Sequence, residues 1–170
     1  MRIRRPTPGM WLFAFLATAA AYRVATESGS APPVYPRYEI HVAQVIDGDT
    51  IETADGIRVR LLGVDSPEIA HHGKPGDPWG EESTAWLKAL VEGQTILLEE
   101  SPVEKDRYGR TLGWLHLLDG TLVSEQSLKL GHSELLDRFG LPAQYESRLR
   151  AAEAEAKANA RGLWKAKQAR

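Results

Sequence analysis

The sequence predicts a mainly β domain in which five short strands form a barrel, with one inserted helix and two helices at the C-terminal end. Short apolar runs that alternate with polar residues predict the strands, and Asp-Gly dipeptides mark turns at the ends of these runs. Two later segments carry apolar residues at helical spacing. A length of 170 residues fits one such domain with short extensions.

Each strand is predicted from its own pattern. Tyr38, Ile40 and Val42 alternate with polar residues, as expected for a half-buried strand. Asp-Gly turns at 47–48 and 55–56 connect the first three strands into a meander, and a third at 119–120 closes the last strand. The predicted strands lie around 38–42, at 50–53, 57–64, 95–100 and 112–118.

The helices are predicted from capping residues and apolar periodicity. The inserted helix has Asp77 as its N-cap and Pro78 at its first position, and Gly93 ends it. The C-terminal helices cover 122–130 and 142–160, the second stopping at Gly162. Five strands with a helix after the third indicate an OB-type barrel, a fold that often binds oligonucleotides, although fold alone does not assign function.

The N-terminal segment has the features of an export signal. Three arginines within residues 1–5 precede an uncharged run at 10–22 that ends in small residues. We expect a signal peptide or membrane anchor at 1–21, a flexible linker at 22–37, the barrel domain at 38–165 and a tail at 166–170. The apolar run is shorter than a comfortable membrane span, so cleavage near Ala21 is favoured over an anchor tethered by 28–36. The domain is therefore expected to be periplasmic or secreted.

The charge balance restricts how this chain could bind nucleic acid. The net charge is −2, and removing residues 1–21 leaves 18 basic against 23 acidic side chains, or −5. A broad basic surface is therefore excluded, and phosphate recognition must rely on a few local cations or a metal ion. The chain has no cysteine, which excludes disulfides and thiolate metal sites.

Three acids fall where strands end. Asp49 follows a hairpin turn, Asp65 follows an apolar strand, and Glu68 comes three residues later. Carboxylates brought together repel one another unless a cation lies between them, and oxygen ligands alone favour calcium or magnesium over zinc. The alternative is that such residues only form turns or cap loops, which is the interpretation preferred for Asp47.

Two arginines complete the candidate site. Arg60 lies in an otherwise apolar strand, and its planar guanidinium suits a phosphate group. It could equally pair with an acid or extend its head to solvent. Arg110 ends a charged loop at 106–110, which taken alone is an ordinary solvated turn. Periodicity does not bring this loop to the acids.

Three segments together carry a resemblance to a known family: Asp-Gly-Asp-Thr at 47–50, Arg-Leu-Leu-Gly-Val-Asp-Ser-Pro-Glu at 60–68 and Asp-Arg-Tyr-Gly-Arg at 106–110. In order and rough spacing they resemble the signatures of the staphylococcal nuclease (thermonuclease) family. Pro-Trp-Gly at 78–80 and Arg-Gly-Leu-Trp at 161–164 are also similar. The resemblance covers 38–164 and is specific as a set.

This resemblance implies a calcium-dependent nuclease of DNA or RNA that leaves 3′-phosphates, with no obligate protein partner. It implies one set of residues that binds Ca²⁺, a second set that binds phosphate, and one residue that positions or deprotonates the attacking water. The implied calcium ligands are Asp49, Asp65 and the Ser66 carbonyl; Glu68 positions or deprotonates water; Arg60 and Arg110 bind the scissile phosphate; and Tyr108 touches a neighbouring phosphate.

The sequence departs from the family at two positions. Asp137 stands where the type member has a base-stacking tyrosine, and Ser124 replaces a usual asparagine. His71 and His72 lack a third ligand at helical spacing and are interpreted as solvated. Two other functions compete with nuclease activity. A non-catalytic OB module, binding nucleic acid or protein, usually lacks the acids or arginines, and a structural calcium domain leaves both arginines without a role.

Overall fold

A computed structural model describes residues 35–70 and 73–168 of the chain. The predicted N-terminal signal or anchor, the linker up to residue 34, and the pair His71 and His72 lie outside the described residues. No helix within the described ranges is long and apolar enough to cross a membrane. The strands are β1 (Arg37–Asp47), β2 (Thr50–Thr53), β3 (Arg58–Leu61), β4 (Val64–Asp65), β5 (Thr95–Lys105), β6 (Thr111–His116) and β7 (Glu134–Leu135), and the helices are α1 (Gly80–Val91), α2 (Val123–Leu130), α3 (Ala143–Ala158) and α4 (Leu163–Gln168).

Five strands close into a barrel in the order β1-β2-β3-β6-β5, which confirms the predicted OB-type architecture. The long strand β1 pairs antiparallel with β5 through its first half and with β2 through its second. The barrel closes where β3 and β6 run parallel. That pairing places the loop before β6 beside the β2–β3 hairpin, and both contribute residues to the candidate site.

The barrel interior and the inner faces of the helices form one apolar core. Val42, Ile51 and Val59 are fully buried inside the barrel, and α1 adds the fully buried Leu87 and Val91. Burial of an aliphatic side chain contributes about 1.5–3 kcal/mol, so this core holds the strand ends at fixed separations.

The inserted helix begins later than the capping pattern predicted. Helix α1 starts at Gly80, and its N-cap residue Trp79 has a φ of 76°. The predicted cap Asp77 instead binds Glu68, donating its amide to the Glu68 carbonyl at 2.8 Å and accepting the Glu68 amide at 3.3 Å. A long-range contact has replaced the local cap. The helix ends at Val91, and Gly93 follows with a φ of 73°.

Three short elements, β4, β7 and α4, were not predicted from the sequence. The strand predicted at 57–64 is divided into β3 and β4, because Gly63 turns the chain with a φ of 75°. Strand β4 then pairs with β7 outside the barrel. Helices α2 and α3 follow as predicted, and the additional helix α4 continues to Gln168, into residues assigned to the tail. Gly131 permits this because a Cβ there would lie 2.3 Å from the Arg161 carbonyl oxygen.

Candidate active site

Asp49 is fixed at the end of the β1–β2 turn. Its amide donates to Asp47 Oδ1 at 3.0 Å, so Asp47 is the turn former predicted from the sequence. Oδ2 of Asp49 accepts the Ser66 amide at 2.7 Å and the Ser66 hydroxyl at 2.8 Å. Gly48 allows this approach, because a Cβ there would lie 2.7 Å from Ser66 Cβ. Asp49 is consequently buried, with 5% of its surface exposed.

Arg60 occupies the centre of the site. Its Nε lies 3.0 Å from Asp49 Oδ1, and its Nη2 lies 2.8 Å from Asp65 Oδ1. Its Nη1 donates to the carbonyls of Leu61 at 2.7 Å and Val64 at 2.8 Å, which locks the orientation of the guanidinium. The structure thus brings together two acids and one arginine that are up to sixteen positions apart in the chain.

The buried carboxylate is short of positive charge. Burial raises the pKa of Asp49 to about 6, and this effect outweighs the opposing field of the Arg60 guanidinium. Asp65, in contrast, exposes 61% of its side chain. A further cation between the two carboxylates would stabilise the ionised form of Asp49.

The donor set fits a hard metal ion. The carboxylates of Asp49 and Asp65 and the nearby Ser66 carbonyl are all oxygen donors, which is what calcium and magnesium prefer. Within the described residues there is no cluster of three or more His, Cys, Asp or Glu side chains that could hold a metal. A metal bound to these acids would therefore complete its shell with main-chain oxygen and water, as hard cations commonly do.

Arg110 is brought to this site by Asp106 and Thr50. Asp106 Oδ1 accepts the amides of Tyr108 at 2.8 Å and Arg110 at 3.0 Å, and its Oδ2 lies 2.7 Å from Arg110 Nε. Arg110 Nη1 then donates to Thr50 Oγ1 at 3.3 Å, and that hydroxyl donates to Asp49 Oδ1 at 3.2 Å. A continuous polar chain therefore links the loop to the buried acid.

Tyr108 projects from the same loop. It is 67% exposed, and the guanidinium carbons of Arg107 and Arg110 lie 4.6 and 5.4 Å from its ring centroid. Cation–π contacts of this kind contribute about 0.5–1 kcal/mol at exposed positions. They hold a tyrosine and two cations together at the edge of the site.

Glu68 is positioned through its main chain. Its side chain is exposed, while its amide and carbonyl are both bound by Asp77. A Cβ on Gly80 would lie 2.4 Å from the Glu68 carbonyl oxygen, so the start of α1 packs directly against this segment. Glu68 thus lies on an irregular segment, anchored by Asp77, three residues beyond Asp65.

Sequence reasoning gave no site role to Thr50 or Asp106. Asp106 precedes Arg110 by four residues in a turn that contains Gly109, and this spacing could have indicated the contact between Asp106 and Arg110. The role of Thr50 depends on the parallel pairing of β3 and β6, which local patterns do not reveal. At the positions that depart from the resembling family, Ser124 donates to the Leu62 carbonyl at 2.7 Å, a structural contact, and Asp137 pairs with Arg150 at 2.9 Å.

The sequence also matches a known protein family. The profile of a family described as staphylococcal nuclease homologue matches residues 58–166, which is more than half of the chain. The chain belongs to the staphylococcal nuclease family. The match contains every site residue predicted from the sequence except Asp49, which precedes it together with Thr50.

Similar proteins with nuclease names are consistent with this family. The chain is 34% identical over 131 residues to an uncharacterized endonuclease of Escherichia coli O157:H7, and the match covers 74% of this chain and 78% of that protein. It is 35% identical over 127 residues to a thermonuclease of Staphylococcus hyicus, covering 72% and 73%. Family and relatives together support a phosphodiester hydrolase of the nuclease type that uses a metal ion.

Proposed function

We propose that this chain is a calcium-dependent nuclease that hydrolyses phosphodiester bonds of DNA, RNA or both and leaves 3′-phosphates. One observation carries the proposal: Arg60 contacts both Asp49 and Asp65. Arg110 is linked to Asp49 through the Thr50 hydroxyl. A site with two acids and two arginines has the charges that phosphoryl chemistry requires.

The metal would be held by Asp49, Asp65 and the Ser66 carbonyl. When bound, Ca²⁺ supplies positive charge that offsets the negative charge developing on the phosphate oxygens. Asp49 is suited to this role because it is anchored at both the amide and the hydroxyl of Ser66. Burial raises the pKa of Asp49, and a bound cation would favour its ionised form.

The two arginines would bind the scissile phosphate from different elements. Arg60 is fixed by the Leu61 and Val64 carbonyls, and Arg110 is fixed by Asp106. Arginines held in this way stabilise a transition state without having to reorganise during the reaction. Each also retains a contact to Asp49, directly or through Thr50, so metal and phosphate binding are coupled.

Glu68 would accept a proton from the attacking water, and Tyr108 would contact a neighbouring phosphate. Glu68 is exposed on the irregular segment that follows Asp65, where water has access. A base in this position contributes about 10²–10⁴-fold to a hydrolytic rate. Tyr108 is exposed beside Arg110, which suits a contact with the substrate strand.

We also propose that the domain acts outside the cytoplasm. The support for this is the sequence of residues 1–21, where arginines precede an uncharged run that ends in small residues. Mass spectrometry of the protein from its native cells would find a mature N-terminus between Ala19 and Thr26. A full-length soluble chain in the cytoplasm would refute export.

The proposed activity is tested with the purified chain and single-stranded DNA and RNA. We expect cleavage with calcium, none with chelator, and products whose 3′ ends become extendable only after phosphatase treatment. Asp65→Asn should lose the calcium-dependent rate, whereas Asp119→Asn, an exposed turn acid remote in sequence from the site, should keep it. Equal cleavage in chelator, or activity only with zinc, would contradict the calcium assignment. Binding of nucleic acid without any cleavage would favour the non-catalytic module.

A further inference from the structure

A cationic cleft lies beside the proposed catalytic residues, and two of the cations that line it, Arg58 and Lys105, have no role in the chemistry described above. It has a volume of about 790 Å³ and is lined by Arg58, Lys105, Tyr108 and Arg110 among others. That volume lies within the range of pockets that hold small ligands, about 300–1,000 Å³, and so can accommodate part of a nucleotide chain. The cleft shares Arg110 and Tyr108 with the site, and it extends away from the acids.

Strand register places Arg58 next to the catalytic arginines. In the parallel pair of β3 and β6, Val59 pairs with Thr111 and Arg60 with Leu112, so Arg58 and Arg110 are the residues immediately before these pairs. Residues two apart on a strand share a face, so Arg58 follows Arg60 on one face at about 6–7 Å along the strand. A row of cations therefore continues from the scissile-phosphate position into the cleft.

Lys105 lines the same cleft from the end of β5. It pairs with Thr111 across β5 and β6, while Val59 pairs with Thr111 across β3 and β6. Lys105 and Arg58 therefore flank the first residue of β6. Lys105 is exposed, and none of the ion pairs among the described side chains involves it.

Arg58 remains accessible despite its ion pair. Its Nε lies 3.1 Å from Glu52 Oε2, and 60% of its side chain is exposed. Because the contact uses Nε, it orients the guanidinium while leaving much of the side chain in solvent. This local group of cations contrasts with the negative net charge of the chain.

We propose that Arg58 and Lys105 form a second phosphate-binding position, which holds the nucleic acid strand one or more nucleotides away from the bond that is cut. This inference rests on the proposed nuclease function and specifies its substrate as a polynucleotide with several phosphates rather than a dinucleotide. The contacts go to backbone phosphate, so they add affinity and orientation without base preference. Tyr108 lines the same cleft beside Arg110 and keeps its proposed contact with a neighbouring phosphate.

The test uses the full chain carrying Glu68→Gln, so that substrate is bound without being turned over. Binding of a fluorescent single-stranded DNA of about ten nucleotides, within the site sizes of OB folds, is measured over a range of salt concentrations. Adding Arg58→Gln or Lys105→Gln should each weaken this binding several-fold and reduce the slope of log K against log salt by about 0.7. Binding of a labelled dinucleotide should be unchanged.

The matched controls are Arg148→Gln and Lys88→Gln. Both residues are exposed and ion-paired, at 51% and 59% side-chain exposure, and neither lines the cleft. They should leave affinity and salt slope as in the parent. Arg58→Lys, which keeps the charge, should restore the slope, and this separates charge from any effect on folding.

Unchanged salt slope and affinity in the Arg58→Gln/Lys105→Gln double variant would overturn the second phosphate position. In that case cleavage by the otherwise unmodified chain would still support the proposed function. If the Glu68→Gln parent binds the long strand but the unmodified chain does not cleave, the nuclease proposal fails while the binding comparison still decides the cleft. If the parent binds no strand of either length, the second phosphate position falls, and the nuclease proposal is decided by cleavage with the unmodified chain alone.

Discussion

Arg60 and Asp49 form a buried ion pair, with Nε 3.0 Å from Oδ1 and side chains only 11% and 7% exposed. The same guanidinium also serves Asp65. One cation therefore contacts two acids, while burial, together with the neighbouring Asp47 carboxylate, raises the pKa of Asp49 against the opposing field of Arg60. The site is under-neutralised in a way that binding of a divalent cation would relieve.

This arrangement predicts the effect of Arg60→Gln on stability. Without its partner, Asp49 becomes a buried and uncompensated carboxylate, and removing one member of a buried pair costs about 3–5 kcal/mol. We expect a loss of this size in the free energy of unfolding, measured by urea titration in chelator. Calcium should recover part of it, because an ion that binds only the folded chain stabilises it.

The control for this experiment is Arg58→Gln, two residues earlier on the same strand. Arg58 also pairs with an acid, Glu52, but it is largely exposed. Exposed pairs contribute about 0–1 kcal/mol, so the loss should be small and insensitive to calcium. Equal losses in the two variants would mean that the Asp49–Arg60 pair has no special energetic role.

The sequence was sufficient for the barrel strands because their signals are local. Alternation and Asp-Gly turns identified the β1–β2 hairpin, and that turn fixes Asp49. The position of Arg60 between the acids was open, since the same residue could have extended to solvent. Its two carbonyl contacts, to Leu61 and Val64, depend on the turn that separates β3 from β4.

Other features depend on contacts between distant segments and could not be predicted. Asp77 has the residue type and position of an N-cap, but it binds Glu68, so α1 begins at Gly80. Arg110 reaches the site through the parallel pairing of β3 and β6, which no periodicity in either segment specifies. For Asp77, a partner nine residues earlier replaced the expected helix cap. For Arg110, a contact with the distant Thr50 is added to its local pair with Asp106.

Glu68→Gln should separate chemistry from binding. The amide cannot accept a proton from water, so kcat should fall by about 10²–10⁴-fold while the Kd for substrate changes little. The control is Glu81→Gln, which removes another exposed carboxylate beside Gly80, in the first turn of α1. It should retain the rate. Near-normal turnover by Glu68→Gln would show that another group accepts the proton.

Gly80→Ala should displace Glu68 without changing its chemistry. The added Cβ would lie 2.4 Å from the Glu68 carbonyl oxygen, a main-chain atom, so the turn itself must shift. Small displacements of a reacting group can cost about 10²-fold in rate, and we expect a fall in kcat of that order in a steady-state assay. Gly120→Ala meets no atom within 4 Å and carries only its own backbone strain at a φ of 87°, so it should preserve kcat. Equal kcat in both variants would contradict the positioning role of Gly80.

His132 provides a pH-dependent contribution to stability. Its ring stacks on Trp86 with centroids 4.7 Å apart, and it lies 6.4 Å from Trp79. Burial lowers the pKa of His132 to about 4, although the nearby Glu82 carboxylate opposes the shift. Ser83 fixes the same segment by donating its hydroxyl to the His132 carbonyl at 2.7 Å.

Because the folded-state pKa of His132 lies below the ordinary value of 6.5, the unfolded chain takes up the proton first as the pH falls. The stabilisation is complete above about pH 6.5 and is lost as the pH falls towards 4. Between pH 7 and pH 5, unfolding free energies from urea titration should fall by about 1–2 kcal/mol more in the natural chain than in His132→Gln. The pKa of Asp49 is raised, so its effect on stability has the opposite sign. Because Asp49 is present in both proteins, its contribution cancels in the comparison. His41→Gln, at an exposed position on β1, should keep the natural pH dependence, and a His132→Gln chain with that same dependence would show that His132 is not its source.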